Sequence, residues 1–315
     1  MVFVWRLCIN RQVMSFSITI LGSGAAAPTS QRYPTAQALQ AGKKIFLIDC
    51  AEGTQMQLRR YRLTIQQIRA IFITHLHGDH VFGLPGLLSS LSMLDRKEPL
   101  DLFVPPYLEE WLTAHLKHFT PLGFPLHFHA LTAEEPEIIY EDKRISVTCF
   151  PLKHRIPTWG FLFREKEKLL NIRKDMIDFY QIPTRHIPAI KASADFITED
   201  GKTIPNAHLT HPPVKPRSYA CCTDTVYMEE LAQFVKDVDL LYHEATYGKD
   251  EKSRAKDTFH STAEDAARVA LAANAGKLVI GHFSSRYRDV TPLVNEAGSI
   301  FPNTEAAEDG MKFEV

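Results

Sequence analysis

The sequence has no run of about 18 apolar residues and no excess of one charge. A helix that crosses a membrane needs such an apolar run, so we expect no membrane partner. The second absence follows from 36 Lys and Arg against 37 Asp and Glu, a formal net charge of −1. Without a protein-wide positive field, any nucleic acid must be held by local basic patches.

Cysteine is also scarce. The five cysteines are an odd set without C-x-x-C spacing, which argues against a disulfide framework and a thiolate zinc knuckle. This usage fits a reducing cytoplasm, where we expect the protein to reside. The first 13 residues, MVFVWRLCINRQV, lack the small-residue cleavage site of a signal peptide. We expect residues 1–13 to be an unstructured extension or the product of a misassigned start, with the fold beginning at residue 14.

Short apolar runs alternate with amphipathic segments along the 315 residues, 45% of which are hydrophobic. The runs are rich in β-branched residues and bounded by turn residues, which is typical of buried strands. We predict strands at 17–21, 44–50, 70–74, 126–130, 144–154, 218–222, 238–242 and 277–281. Helical periodicity predicts helices at 54–63, 83–94, 107–119 and 262–275. This alternation indicates a layered α/β fold.

Five of the predicted strands are followed by a side chain that can bind a metal. These residues are His75, His154, Asp224, His243 and His282. In layered α/β proteins, sites are built at the carboxyl edge of the sheet. By contrast, we assign the histidines of LHFHA (126–130) to the polar face of a strand, because no acidic partner follows them.

Residues 164–217 interrupt the α/β pattern. They contain six prolines, ten Lys or Arg and seven Asp or Glu, with weak periodicity. NIRKDMIDFYQIP is consistent with a short helix, and DFITEDGKTIPN predicts a hairpin around Asp200 and Gly201. We interpret the segment as an inserted arm, since structureless loops of this length are uncommon in compact domains. The alternative is a surface excursion without function.

The heptad THLHGDH (74–80) concentrates three histidines and one aspartate. In an extended segment, residues i and i+2 point the same way, so His75 and His77 can bind one ion. After the turn, Asp79 and His80 present a carboxylate and an imidazole to a neighbouring point. Four ligands at this spacing suit two ions, because one tetrahedral ion would be nearly saturated locally. The plainer alternative is a loop with polar histidines.

The downstream strand ends can complete both sites. His154 would join the first pair of heptad ligands and His282 the second, while Asp224 would bridge the ions with its two oxygens. Imidazole and carboxylate ligands without thiolate favour zinc, with manganese as the second option. Two ions about 3.5–4 Å apart activate water and stabilise both oxygens of an in-line displacement. These residues predict a hydrolase and leave phosphodiester, carboxyl ester, amide and thioester bonds open as substrates.

The heptad and these three downstream residues, in this order, resemble the metallo-β-lactamase superfamily. The resemblance implies an αββα sandwich, two mixed sheets flanked by helices, over residues 14–315. Longer strings narrow it: LGSGAAAPT, FLIDCAEGTQMQL, HGDHVFGLPGLL, FPLKH, CTDT, HEAT, HSTAEDAA and GHFSSRY. Together they resemble the ribonuclease Z family, endonucleases that trim 3′ trailers from precursor tRNAs and leave a 3′-hydroxyl next to the discriminator base.

The resemblance also implies roles for individual residues. The metal ligands of the family, for two zinc ions, fall on His75, His77, Asp79, His80, His154, Asp224 and His282. Its general base falls on Asp79, and its catalytic histidine falls on His260, beside the scissile phosphate. Glu244 would orient His260 through a hydrogen bond. The plain reading of His260 is a contact at a helix N-terminus, since Ser261 and Thr262 would cap the helix that follows.

Substrate contacts are implied less directly. Segment 164–217 stands where the family carries its tRNA-clamping arm, but QIPTRHIPAIK lacks the usual Gly-Pro-rich turn. Arg286 is a candidate phosphate contact. Near the N-terminus, PTSQRY keeps Arg32 but replaces the family's lysine and asparagine by Ser30 and Tyr33, in a loop linked to the handling of CCA ends.

Three functions remain at this point. The first is a zinc-dependent endoribonuclease acting on precursor tRNA as a homodimer, each arm gripping the tRNA bound by the other subunit. The second is a small-molecule phosphodiesterase or arylsulfatase-like hydrolase of the same fold, which would need no arm. The third is a non-catalytic RNA-binding subunit, which the intact ligand set disfavours.

Overall fold

The computed structural model of the protein describes residues 15–118, 121–213 and 215–315. The predicted extension at residues 1–13 lies outside them. The chain divides into two compact units. The first consists of residues 15–140, 147–163 and 218–315, and the second of residues 141–146 and 164–217.

The first of two seven-stranded sheets has the strand order β18-β1-β2-β3-β4-β5-β6. Its strands are β1 (Phe16–Gly22), β2 (Ala36–Ala41), β3 (Lys44–Ile48), β4 (Ile68–Phe72), β5 (Leu100–Val104), β6 (Leu126–Ala130) and β18 (Lys312–Glu314). Strands β3 to β6 are parallel, whereas β1 pairs antiparallel with β2 and β18. The sheet is therefore mixed, and the carboxyl ends of β3 and β4 lie at the same edge.

The second sheet has the order β17-β16-β15-β14-β9-β8-β7. Its strands are β7 (Glu137–Glu141), β8 (Ile145–Leu152), β9 (Thr158–Glu165), β14 (Ser218–Cys222), β15 (Leu240–Glu244), β16 (Leu278–Gly281) and β17 (Thr304–Ala306). Strands β14 to β17 are parallel. Asp224 follows the carboxyl end of β14 and His282 that of β16, while His154 follows β8 in the same sheet.

Aromatic side chains join the two sheets. Phe72 of β4 lies 5.3 Å, between ring centroids, from both Phe161 and Phe163 of β9, and Phe46 of β3 lies 6.2 Å from Phe163. Large rings in tilted and edge-to-face contacts fill the space between sheets with few voids.

Helices cover the outer face of each sheet. The helices of this unit are α1 (Thr54–Arg60), α2 (Gly78–Val81), α3 (Leu84–Met93), α4 (Leu108–Leu116), α8 (Leu231–Phe234), α9 (Lys252–Thr258), α10 (Ala263–Ala272) and α11 (Thr291–Gly298). One apolar cluster joins α1, α3 and α4 to the first sheet, and another joins α8, α10 and α11 to the second. The predicted αββα layering is thereby confirmed. None of the helices in the described residues is long and apolar enough to cross a membrane.

The second unit has its own small core. It holds β10 (Asn171–Ile172), β11 (Phe196–Ile197), β12 (Thr203–Ile204), β13 (Thr210–His211), α5 (Lys174–Phe179), α6 (Ile187–Lys191) and α7 (Asn206–Leu209). The predicted short helix is α5, and β11 and β12 form the predicted hairpin, with Gly201 at φ 81°. Ile182, Ile190, Phe196 and Leu209 are buried together. These residues bury apolar surface within the unit itself.

Candidate metal centre

Three histidines and one aspartate converge at the carboxyl ends of β4, β8 and β14. His75 Nε2 and His154 Nε2 lie 2.9 and 3.4 Å from Nδ1 of His77. Oδ2 of Asp224 lies 3.6 Å from His75 Nε2 and 3.8 Å from His154 Nε2. Ligand-type atoms of all four residues lie within 4.8 Å of one another, close enough for one cation to contact them all.

A second group lies beside the first. Asp79, His80 and His282 also bring ligand-type atoms within 4.8 Å of one another. Oδ2 of Asp79 is 3.6 Å from His80 Nε2 and 3.9 Å from His282 Nε2. Oδ1 of Asp224 is 3.4 and 3.2 Å from the same two nitrogens. The two oxygens of Asp224 therefore face different groups, as a bridging carboxylate must.

The backbone turns sharply where these side chains leave the strands. Asp224, two residues after β14, and His282, directly after β16, have φ values of 55° and 56°. Asp49, directly after β3, has a φ of 57°. Asp and His tolerate the left-handed region better than most residues, and such conformations cluster at functional sites. The turns end the strands and carry the side chains to the shared edge.

Two buried nitrogens in the second group have no hydrogen-bond partner. They are Nε2 of His80 and Nε2 of His282. The other nitrogen of each ring is engaged, since Nδ1 of His80 lies 2.7 Å from Asp49 Oδ2 and Nδ1 of His282 lies 3.0 Å from Thr246 Oγ1. A ring that donates from Nδ1 keeps a lone pair on Nε2, which is the state of a metal-binding imidazole. The donor set therefore fits bound cations.

Charge at the centre favours the same conclusion. Burial lowers the pKa of His80, but the carboxylates of Asp49 and Asp224 outweigh it and raise the pKa to about 10. Without a cation the ring is therefore protonated, and a cation bound at Nε2 would displace that proton. Burial raises the pKa of Asp224, but His282 and the other histidines around it bring the pKa well below its usual range. Buried anions of this kind need positive charge beside them. A divalent cation would supply it.

His260 and Glu244 form a pair at the rim of the centre. His260 Nδ1 lies 2.9 Å from Oε1 of the fully buried Glu244 and 4.0 Å from Oδ2 of Asp224. Burial lowers the pKa of His260, but the charge and hydrogen bond of Glu244 outweigh it and raise the pKa to about 9. As expected, a residue beside His260 caps α10: Thr262 accepts from the N–H of Asp265, in a capping box. His260 itself is turned toward the centre.

The two predicted phosphate contacts are engaged with the protein itself. Arg32 donates to the backbone oxygens of Tyr287 and Arg288 at 2.7 and 3.3 Å. Arg286 forms an ion pair with Glu251. Their role in substrate binding stays a prediction.

His243 does not follow its strand as expected. Its parallel pairing with β14 and β16 extends β15 through Glu244, two residues beyond the predicted end. His243 is buried within the strand, with Nδ1 2.8 Å from the backbone oxygen of Glu244. Continued pairing on both sides explains why the strand is longer than its apolar run.

Three supporting contacts were missed from the sequence. Asp49 contacts His80, and Thr246 contacts His282. The backbone oxygen of Phe259 lies 2.8 Å from His154 Nδ1. The strand was predicted through residue 50, but β3 ends at Ile48, so Asp49 directly follows the apolar run KIFLI and that position was a usable signal. The other two offer none, because they arise from loops distant in sequence.

Comparisons with solved structures identify the fold and the class of protein. The chain matches the metallo-β-lactamase fold protein YhfI of Bacillus subtilis with a TM-score of 0.67 and 16% identity, covering 96% of this chain and all of that one. It matches human tRNase Z, short form, with a TM-score of 0.70 and 27% identity, covering 95% and 99%. The fold is that of the metallo-β-lactamase superfamily, and the class is a metal-dependent hydrolase.

Sequence relatives give the family. Ribonuclease Z of Bacteroides thetaiotaomicron is 47% identical over 297 residues, 94% of each chain. Ribonuclease Z of Parabacteroides distasonis is 46% identical over 301 residues, 95% of this chain and 99% of that one. A family model described as "Anti-Pycsar protein Apyc1" matches residues 16–166. The chain belongs to the ribonuclease Z family and is a metal-dependent endoribonuclease, which confirms the resemblance.

Proposed function

We propose that the protein removes the 3′ trailer from precursor tRNA by hydrolysing the phosphodiester bond next to the discriminator base, leaving a 3′-hydroxyl on the tRNA. This proposal rests on the sequence relatives, and the geometry of the candidate metal centre is consistent with it. Relatives named ribonuclease Z match 94% or more of the chain, and the candidate ligands lie in two groups on either side of Asp224. The relatives favour the nuclease over a small-molecule hydrolase of the same fold, which would use the same ligands.

The proposed cofactor is two zinc ions per chain, with manganese as the alternative. His75, His77 and His154 would hold one ion, Asp79, His80 and His282 the other, and Asp224 would bridge them. When bound, the ions would polarise the phosphodiester and activate water. The nitrogen and oxygen donors, without thiolate, suit zinc.

Asp79 would act as general base. Its Oδ2 accepts a hydrogen bond of 2.8 Å from the N–H of Ala26, which holds the carboxylate in place. The side chain is 17% exposed, so an attacking water can reach it. Accepting the proton of that water is worth roughly 10²–10⁴-fold in rate for a well-placed base.

His260 would act as general acid. Since Nδ1 faces Glu244, Nε2 is the atom that would donate a proton to the leaving 3′-oxygen or a hydrogen bond to a phosphoryl oxygen. Glu244 is a positioning residue, because it touches the imidazole and not the substrate. Its buried charge stabilises the protonated ring.

Residues 164–217 would bind the tRNA body. They fold around their own core and carry ten Lys or Arg against seven Asp or Glu, a modest excess that suits contacts to phosphates and would make binding salt-sensitive. We further propose a cytoplasmic homodimer in which each arm grips the tRNA bound by the partner subunit. Arg286 and Arg32 would reach phosphates by exchanging their present partners.

Cleavage of precursor tRNA tests the proposal directly. Transcripts with and without an encoded CCA are incubated with the zinc- or manganese-loaded protein, and the cut is mapped at nucleotide resolution. Cleavage beside the discriminator base, leaving a 3′-hydroxyl and lost in Asp79→Ala, is the expected result. Hydrolysis of bis(p-nitrophenyl) phosphate without any cut in tRNA would contradict it and favour the small-molecule hydrolase.

A further inference from the structure

An apolar pocket of about 380 Å³ opens beside His77. Its walls include Pro105, Pro106, Pro157 and Ile156, and Tyr107 and His77 also line it. The volume is near the lower end of the roughly 300–1,000 Å³ that small-ligand pockets occupy. Three prolines make the walls stiff, because their φ angles are locked and their side chains have little entropy to lose. The pocket is therefore shaped before any ligand enters.

Tyr107 stands at this pocket in a strained conformation. Its φ is 73°, in the left-handed region, directly before α4, and the residue is 78% exposed. A bulky residue in this region is a genuine outlier, and its strain must be offset by the surrounding structure. Exposing a large ring gains nothing for the core either. The strained backbone and the exposed ring together indicate that the ring of Tyr107 contacts a ligand.

We propose that this pocket holds a nucleobase of the RNA, from a nucleotide next to the cleaved phosphate, with Tyr107 stacked on the base. The inference rests on the proposed function and extends it to a subsite. His77 is both a candidate metal ligand and a pocket wall, so a phosphate at the centre brings its neighbouring base to the opening. Flat apolar walls and an exposed aromatic ring are the features that bind unstacked bases.

The chemistry of the walls also predicts tolerance of sequence. Proline and isoleucine side chains offer no hydrogen bonds to the edge of a base, and stacking acts on the face that every base has. The subsite would therefore accept all four bases at this position. Such tolerance suits an enzyme whose substrates differ in sequence beside the cut.

Two variants of Tyr107 separate binding from structure. Tyr107→Asn removes the ring and tolerates the left-handed region, so its melting temperature is expected to equal or exceed that of the wild type. Its kcat/KM on precursor tRNA is expected to fall roughly 5- to 150-fold, the loss of one stacked base, mainly through KM. Tyr107→Phe keeps the ring and is expected to stay within about threefold. Full activity of the Asn variant would overturn the proposal.

Substrates with one abasic nucleotide, placed on either side of the cut, test the contact itself. The wild type is expected to lose activity on one of the two, and Tyr107→Asn to lose no more on that substrate, since the partner is already absent. Additive losses would overturn the proposal. A change of oligomeric state in Tyr107→Asn, measured by sedimentation, would assign the pocket to a second copy of the chain instead.

A binding measurement keeps the test independent of cleavage. The metal-loaded protein is titrated with adenosine 5′-monophosphate and with ribose 5-phosphate, which lacks the base. The nucleotide is expected to bind more tightly, and Tyr107→Asn to remove the difference. If precursor tRNA is never cut, the proposed function fails, while this titration still decides whether the pocket takes a base. Equal affinity for both compounds would overturn the inference.

Discussion

Oδ2 of Asp49 lies 2.7 Å from Nδ1 of His80, and both side chains are fully buried. Asp49 also accepts hydrogen bonds from the N–H and the hydroxyl of Thr74, at 2.8 and 3.0 Å. The carboxylate thus connects two strand ends of the first sheet. It directs Nε2 of His80, the atom left without a partner, toward Asp79 and Asp224.

Asp49→Asn should weaken metal binding in the second group of ligands. An amide cannot offer the same charge to the imidazole, and loss of such a supporting acceptor typically costs about 10–100-fold in metal affinity or activity. Metal content after dialysis, measured per chain, and kcat on precursor tRNA would report it. Asp101→Asn is the matched control, because Asp101 is also a buried carboxylate that accepts from a histidine, His129, at 3.1 Å, but that histidine is not a candidate ligand. Equal metal loss in both variants would contradict the assignment.

Glu244→Gln and His260→Ala should slow the same step of the reaction, in which His260 acts on the leaving 3′-oxygen or a phosphoryl oxygen. Removing the imidazole should lower kcat by roughly 10²–10⁴-fold if it is the general acid. The glutamine variant keeps the shape but lowers the stability of the protonated ring, so a smaller loss in kcat with little change in KM is expected. In the double variant the losses should be less than additive, because the two residues act as one pair. Fully additive losses would mean separate roles.

Removal of metal should both inactivate and destabilise the protein. A ligand present at about 1,000 times its dissociation constant contributes about 4 kcal/mol of stability. Without it, Nε2 of His80 and His282 and the buried carboxylates lose their partner. Chelation should lower the melting temperature by several degrees, and added zinc should restore both properties. An unchanged melting temperature with full loss of activity would indicate a metal that belongs to the substrate.

The pair of Glu165 and Arg217 should stabilise the second unit. Arg217 donates from Nε and Nη2 to the two carboxylate oxygens at 2.7 and 3.0 Å. Glu165→Gln should cost about 1.5–3 kcal/mol at neutral pH, as for other hydrogen bonds to charged groups. Hydrogen exchange of the amides in residues 164–213 would measure it. Lys168→Met is the control, since Lys168, a partly exposed partner of Glu165 at 3.3 Å, is screened by water.

The same pair predicts a pH dependence. Burial raises the pKa of Glu165, but the Arg217 hydrogen bond and charge outweigh it and leave the pKa below its usual value. A lowered folded-state pKa gives stability above the unfolded pKa, about 4.5, which is lost as pH falls through the folded value. The difference in exchange between wild type and Glu165→Gln should therefore shrink in acid. A difference independent of pH would assign the effect to packing.

Local sequence patterns predicted some features of the structure and missed others. His127 and His129 were assigned to the polar face of a strand, and β6 confirms the strand, with both side chains about half exposed. Their acidic partner, Asp101, was missed because it lies on β5, 26 or more positions away. Pairing between strands sets such neighbours, and no short-range pattern reports it.

The sequence by itself determined the layered fold and the heptad at the end of β4, because side-chain periodicity and ligand spacing are properties of neighbouring residues. It also located the strand ends that carry His154, Asp224 and His282. Only the tertiary structure decided which atom of each ligand faces which group, that Asp49 and Thr246 hold two of the imidazoles, and that Arg32 and Arg286 are occupied. It alone revealed the strained Tyr107 beside the proline-walled pocket. These are relationships between segments far apart in the chain, and packing of the two sheets brings them together.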